Sequence, residues 1–209
     1  MRRTYFIEKN FNLVMLAVLI SGLVLAYVAE GFAAAENVRA ECFRLHVIAN
    51  SDSEEDQAVK LIVRDALLEA GAALFTENTD AYEAEKKIAE NKELLTSVVE
   101  QVLKENGIIY GCEIVICEEF FDTREYDGVS LPAGVYKACK VILGDGEGKN
   151  WWCVMFPPLC IPATAKNSDE VFSVFGENGG SLVTGKSGYV IKFKLVEIFE
   201  EVADALKKR

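Results

Sequence analysis

Residues Phe43–Asp65, FRLHVIANSDSEEDQAVKLIVRD, change within a few positions from strand-like alternation to helical spacing. The first part of this stretch alternates between two sets of side chains from Cys42 to Ala49, which predicts a strand with two distinct faces. One face should carry Phe43, Leu45 and Val47, and the other should carry Arg44, His46 and Ile48.

A polar turn and a helix should follow this strand. Ser53 with Asp56, or Asp52 with Glu55, resembles a capping box, and acidic side chains favour the positive end of a helix. Apolar residues then recur at helical spacing to about Leu74. The stretch therefore predicts a strand, a tight turn and a helix in direct succession.

The remaining chain predicts one helix, several strands and a closing helix. The second helix should run from an Asp80 cap to Asn106, with a solvated first half of alanine and charged residues. Gly144–Gly148 is typical of a hairpin connection. The predicted later elements are strands at Cys112–Cys117, Phe120–Tyr126, Val135–Leu143, Asn150–Phe156 and Tyr189–Leu195, a mobile loop or insertion at Ile161–Gly188, and a helix at Val196–Lys207. We expect an α+β fold, in which an antiparallel or mixed sheet of about six strands has helices packed on one face.

The N-terminus has the three parts of an export signal. Arg2, Arg3 and Lys9 precede the apolar run Leu13–Ala29, and Ala33-Ala34-Ala35 has the small residues of a cleavage site. The run also just reaches the length of a membrane-spanning helix. Residues 1–35 are therefore either a cleaved signal peptide or an anchor through residues 13–29, and residues 36–209 form an extracytoplasmic domain.

Composition limits the partners and the stabilising bonds of that domain. Residues 36–209 have 19 basic and 31 acidic side chains, a net charge of −12, which disfavours nucleic acid and anionic lipid. All six cysteines lie in this exported part, where disulfides are permitted. Cys153 and Cys160, which flank a Pro157-Pro158 turn, are the first pair to test.

His46, the only histidine, is the obvious candidate for acid–base chemistry. Asp52 and Asp56 lie close to it in the sequence, and either would suit a histidine oriented by an acid. The alternative is a histidine that only braces the turn, which we favour because no nucleophile has a triad setting. Helix capping also explains the acidic residues of the turn, so we predict no metal site and no cofactor.

Trp151 and Trp152 are adjacent within a predicted strand, so they must point to opposite faces. One can join the core, whereas the other needs a groove, a covering helix or a partner. Because tryptophan is enriched at binding hot spots, we predict partner contact for one of them.

Three segments of this chain resemble the stage II sporulation protein R family. They are RLHVIANSDSEEDQAVKLIVRDAL at Arg44–Leu67, LPAGVY at Leu131–Tyr136, and GKNWWCVMFPPLC at Gly148–Cys160. The resemblance implies a protein exported across the forespore membrane of an endospore-forming bacterium. It implies activation of a membrane-embedded aspartic protease, which processes the pro-form of the sporulation sigma-E factor.

On this reading the chain is not an enzyme, and it contacts its partner around the polar turn. The expected contact residues are His46, Asn50, Asp52, Asp56, Trp151 and Trp152. The sequence is also compatible with two other functions. One is an extracytoplasmic hydrolase that uses His46 with a nearby carboxylate, and the other is an envelope-anchored structural module.

Overall fold

The computed structural model describes residues 2–76, 79–126 and 129–157, together with the single positions 175, 180, 183, 197, 198, 200 and 206. The helices are α1 (Arg2–Ala40), α2 (Glu54–Leu74), α3 (Ala81–Glu90) and α4 (Lys92–Glu105). The strands are β1 (Phe43–Ile48), β2 (Cys112–Phe121), β3 (Arg124–Tyr126), β4 (Val129–Leu131), β5 (Gly134–Leu143) and β6 (Asn150–Phe156).

In the part of the chain that the structure describes, the main sheet has four strands in the order β2-β5-β1-β6, and β3 and β4 form a separate two-stranded sheet. β1 runs parallel to β5, whereas the β1–β6 and β2–β5 pairs are antiparallel. The prediction of an α+β fold with a mixed sheet is confirmed, and within the described ranges the main sheet contains four of the about six strands expected.

β1 occupies the middle of the sheet, and this position corrects the predicted hairpin. β5 and β6 are consecutive in sequence, but both pair with β1 and neither pairs with the other. The connection at residues 144–149 therefore crosses over the end of β1. A hairpin was the wrong inference because a glycine-rich connection does not reveal that a distant strand fills the gap.

The first face of the sheet supports the larger core. Phe43, Leu45 and Val47 are completely buried there beneath α2, α3 and α4, as the alternation predicts. α2 contributes Val59, Val63 and Leu67 at helical spacing, so its apolar stripe lies on the sheet. Its N-terminus is capped by Ser53, whose side chain accepts a hydrogen bond from the Asp56 amide. Of the two predicted caps, the structure therefore has the one formed by Ser53 with Asp56.

The second face of the sheet has a smaller core. Its cover includes the C-terminal end of α1 and the β3–β4 hairpin, so a helix also lies on this face. The buried members are Ala34, Ala35, Val38, Cys42, Phe121, Val129, Leu131, Tyr136, Ala138, Val154, Phe175 and Val183. By contrast, the apolar side chains of α1 from Phe11 to Leu25 are exposed.

Two predicted elements are divided differently in the structure. The predicted second helix is two helices, because the Asn91 side chain donates to the Lys87 carbonyl at 2.8 Å and ends α3 there. The first half is also not solvated, since Ala84 and Ile88 are fully buried against the sheet. β2, in turn, continues without a break to Phe121, where two strands were predicted.

The later predictions lie mostly outside the described residues. Phe175, Gly180 and Val183 are helical, and Phe175 and Val183 are buried in the second core. Most of the predicted loop at Ile161–Gly188, and all of the predicted strand at Tyr189–Leu195, fall in the part that is not described. The described positions 197, 198, 200 and 206 are helical, in agreement with the predicted closing helix.

Two neighbouring leucines of α4 test the first core. Leu95 is fully buried, whereas Leu94 is half-exposed. We expect Leu95→Ala to reduce the free energy of unfolding by about 3 kcal/mol, because it leaves a cavity beneath the helices. Leu94→Ala should change it by less than about 0.5 kcal/mol. Urea unfolding followed by tryptophan fluorescence measures both, and equal losses would contradict the packing described.

Candidate functional site

All six predicted contact residues lie at one end of the main sheet, which we call the sheet corner (residues 46–56 and 144–152). β1 ends there as β6 begins, so that His46 pairs with Trp152 and Val47 pairs with Trp151 in the β1–β6 register. Asn50 and Asp52 lie on the turn that follows β1, and Asp56 lies in the first turn of α2. The structure therefore brings together residues that are about a hundred positions apart in sequence.

Backbone hydrogen bonds hold the two loops of the sheet corner together. The amides of Glu147 and Gly148 donate to the carbonyls of Asn50 and Ala49 at 3.1 and 2.9 Å. Side chains of the turn complete the attachment: Asn50 Oδ1 accepts from the Asp145 amide, and Asp52 Oδ1 accepts from the Lys149 amide. The turn is therefore fixed against the connection that crosses over β1.

A glycine is required where these two loops meet. Gly144 has a φ of +55°, and a Cβ atom there would collide with the Asn50 side chain. The left-handed conformation and the close approach of Asn50 both favour glycine at this position. A side chain at residue 144 would push the two loops apart.

The buried side chain of Asp56 is the hydrogen-bond acceptor that holds the turn together. Its carboxylate accepts hydrogen bonds from Ser51 Oγ at 2.5 Å, Tyr110 Oη at 2.5 Å and Asn50 Nδ2 at 2.9 Å. Burial would raise the pKa of this carboxyl, but these hydrogen bonds outweigh burial and lower the pKa to about 2. Asp56 is thus a structural acceptor, and the acidic turn is built around it.

His46 is buried on the second face and is bonded through both ring nitrogens. Nδ1 lies 2.7 Å from Glu119 Oε2, and Nε2 lies 2.9 Å from Asn150 Oδ1. Nδ1 can donate to the Glu119 carboxylate, and the role of Nε2 depends on the ring tautomer and on which way the Asn150 amide faces. The Trp152 ring stacks on the imidazole at a centroid distance of 3.7 Å.

Glu119 lies between His46 and Lys140. Its Oε1 accepts a hydrogen bond from Lys140 Nζ at 2.7 Å, while Oε2 faces His46. Partial burial would raise the pKa of Glu119, but the hydrogen bonds and charges of His46 and Lys140 outweigh burial and hold the pKa below its ordinary value. The carboxylate partner of His46 is therefore Glu119, and the inference of Asp52 or Asp56 from sequence proximity was wrong.

Arg44 lies beside this network and is completely buried. Its Nε donates to the Cys153 carbonyl at 2.8 Å, and Nη2 donates to Tyr126 Oη at 2.7 Å. The guanidinium carbon lies 4.2 Å from the centre of the Phe121 ring and 4.8 Å from that of Tyr136. These aromatic faces stabilise the buried charge, since a guanidinium stacks well on aromatic rings.

The two tryptophans point to opposite faces, as predicted. Trp152 is half-buried on the second face, next to His46 and the edge of Phe121. Trp151 is 37% exposed on the other face, where the Arg64 guanidinium of α2 lies 4.5 Å from its ring centre. Trp151 and the exposed Asp52 are therefore the predicted contact residues that solvent reaches most readily, whereas His46 and Asp56 form the frame beneath them.

The geometry around His46 does not resemble a hydrolytic centre. A catalytic base needs one free ring nitrogen for the nucleophile or water, with the other held by an orienting acid. Here Asn150 occupies the nitrogen opposite Glu119. No group of three histidine, cysteine, aspartate or glutamate side chains suitable for a metal ion occurs within the described ranges.

The cysteines divide into bonded and free. Cys153 is disulfide-bonded, and Cys42, Cys112, Cys117 and Cys139 are free. Cys160, its predicted partner, lies outside the described residues, so that pairing stays a prediction. Burial raises the pKa of the Cys42 and Cys139 thiols to about 12, which keeps both protonated and unreactive.

A family model described as stage II sporulation protein R matches residues 39–166. The chain belongs to this family. Stage II sporulation protein R of Bacillus subtilis (strain 168) is 33% identical over 120 residues, which cover 57% of this chain and 54% of that protein. The chain thus aligns with about half the length of this relative. No solved structure matches the chain.

The family's sporulation role agrees with the resemblance noted in the sequence. The matched region contains the whole sheet corner, both tryptophans and the four strands of the main sheet. Sequence reasoning nevertheless missed Arg44, Glu119, Lys140 and Asn150. For Arg44, the sequence shows only that a charged residue alternates with apolar residues in a strand. The aromatic rings that contact its guanidinium come from distant segments, so the sequence does not reveal them.

Asp56 gives the site a defined pH dependence. Because the pKa is lower in the folded state than its ordinary value of 3.8, its stabilisation is present above about pH 4 and is lost as pH falls towards 2. We expect Asp56→Asn to reduce the free energy of unfolding by about 2 kcal/mol at pH 7, with the difference from wild type shrinking below pH 4.

Glu55→Gln is the matched control, since Glu55 is an exposed acid in the same first turn of α2. It removes the same charge from the helix N-terminus but leaves the hydrogen bonds of the turn intact. Urea unfolding at several pH values compares the two variants. An Asp56→Asn effect that stays constant from pH 7 to pH 2, or that Glu55→Gln reproduces, would contradict this role.

Proposed function

We propose that this protein is an exported sporulation signal that activates a membrane-embedded aspartic protease by binding it. The protease would then process the pro-form of the sporulation sigma-E factor. The protein would act after crossing the forespore membrane, in the space between the two compartments. Membership of the stage II sporulation protein R family is the observation that carries this proposal.

The N-terminal helix supports the export part of the proposal. α1 begins with basic residues and continues into an apolar stretch whose side chains from Phe11 to Leu25 are exposed. It is long and apolar enough to cross a membrane, and a signal sequence passes the same test. With the basic end in the cytoplasm, the domain lies on the other side.

The sheet corner supports the binding part of the proposal. A partly exposed tryptophan beside an arginine provides apolar area with charged surroundings, which is a common composition of interface hot spots. The acidic turn beside it, with Asp52, Glu54 and Glu55 exposed, favours a partner surface with basic residues. The buried carboxylate of Asp56 and the His46–Glu119 pair keep this surface in one shape.

Activation requires more than binding. A partner that binds the resting and the active protease equally does not change the equilibrium between these two states. The sheet corner must therefore bind the active state more tightly. A tenfold shift towards that state needs about 1.4 kcal/mol of differential binding. One well-packed tryptophan supplies free energy of this size.

Co-expression in a non-sporulating host tests the function directly. The full chain is produced with the candidate protease and its pro-sigma substrate, and processing is followed by immunoblot. We expect cleavage only when all three proteins are present. Cleavage that is equal without this chain, or that is absent with all three correctly expressed, would contradict the proposal.

Trp151→Ala tests the surface in the same assay. We expect activation to fall about tenfold or more, because the exposed anchor of the interface is removed. Tyr82→Ala is the control, as Tyr82 is an exposed aromatic side chain on α3. Circular dichroism confirms that both variants are folded. Equal activation by the two variants would place the contact elsewhere on the domain.

A further inference from the structure

We propose that α1 is a retained membrane anchor whose last turns, Gly31–Ala40, are part of the folded domain. The partner of its exposed stretch is the hydrocarbon core of a bilayer, and the domain stands directly on the membrane surface. Of the two possibilities that the sequence leaves open, cleavage near Ala35 or retention, the packing of α1 favours retention.

The first observation is that the helix does not stop where the cleavage site would be. α1 runs without a break through Ala35 to Ala40. Ala34, Ala35 and Val38 are buried at 3%, 0% and 0% exposure in the second core. The small residues that resemble a cleavage site therefore have a packing role, because they let the helix approach the sheet closely. Cleavage after Ala35 would remove two of these three contacts.

The second observation is a specific attachment at Arg39. Its side chain is buried, Nη1 donates to the Ala133 carbonyl at 3.0 Å, and Nη2 contacts Glu36 at 2.7 Å and Glu200 at 3.1 Å. Gly134 makes room for it: φ is +147°, and a Cβ atom there would lie 2.7 Å from Arg39 Cδ. The segment around Gly134 is thus shaped to receive the end of α1.

The third observation is the lack of a linker between helix and sheet. Only Glu41 and Cys42 separate α1 from β1, and Cys42 is itself buried in the second core. β1 is a central strand of the sheet. The helix therefore continues straight into the core of the domain, and its direction is fixed relative to the sheet.

The remaining length of the helix matches a bilayer. Phe11–Ala29 carries no charged residue, and its 19 residues span about 28 Å at 1.5 Å per residue, close to the hydrocarbon thickness. Gly31, the first buried position, follows within one turn. A domain of this size is roughly 40 Å across, so any partner must present its surface within about that distance of the bilayer.

The state of the wild-type chain tests retention. The full chain with a C-terminal tag is expressed in a bacterium with ordinary secretion machinery, and the purified protein is weighed by mass spectrometry. We expect an uncleaved N-terminus and a membrane fraction that resists alkaline carbonate. A soluble product that begins at Glu36 would overturn the proposal. Because this readout needs no protease or sigma factor, its failure is separable from failure of the proposed function.

A pair of alanines tests the packing. Ala33 is exposed and Ala35 is fully buried, yet both occupy the small-residue positions of the cleavage motif. We expect Ala35→Leu to lower the Tm of the full chain in detergent by about 3–8 °C, and Ala33→Leu to leave it within about 1 °C. Tryptophan fluorescence reports this transition, since both tryptophans lie in β6. Equal effects of the two variants would show that the end of α1 is not packed into the domain.

Discussion

The structure depends on the central position of β1 in the main sheet. This strand pairs in parallel with β5 on one side and antiparallel with β6 on the other. Because its side chains alternate, it contributes Phe43, Leu45 and Val47 to the first core, and Arg44 and His46 to the second face. α2 and α3 pack directly on this strand, whereas α1 contacts β5 and α4 contacts β2.

The central position of β1 buries polar side chains on the second face of the sheet. Burying the polar groups of Arg44 and His46 would be unfavourable without compensating interactions. Among the described residues, Arg44 Nη1 has no hydrogen-bond partner. Aromatic rings, the Cys153 carbonyl and the tyrosine of β3 stabilise Arg44, while Glu119 and Asn150 bond His46. These partners come from several strands, so the network specifies one register for the sheet and holds the sheet corner in place.

Local features were predictable from the sequence because their causes are local. The alternation of β1, the Ser53 and Asp80 caps and the end of α2 at Leu74 follow from periodicity and from short-range hydrogen bonds. The break at Asn91 was missed, since a single asparagine inside a helical pattern ends the helix only when its side chain captures a backbone carbonyl.

Long-range features were not predictable in this way. Nothing near residues 144–149 shows that β1 separates β5 from β6, and nothing near His46 shows that its acid is Glu119, 73 residues away. Asp56 seemed a plausible partner for His46 because it is close in sequence. It belongs instead to the turn, where serine, asparagine and tyrosine donors surround it.

We propose that the sheet corner is the surface through which this family member binds and activates the protease. Photo-crosslinking measures that contact most directly: a photoreactive amino acid is placed at position 151, or at position 82 as a control, in cells that contain the protease. We expect a crosslinked product with the protease from position 151 and none from position 82. A product from position 82 alone would contradict this proposal.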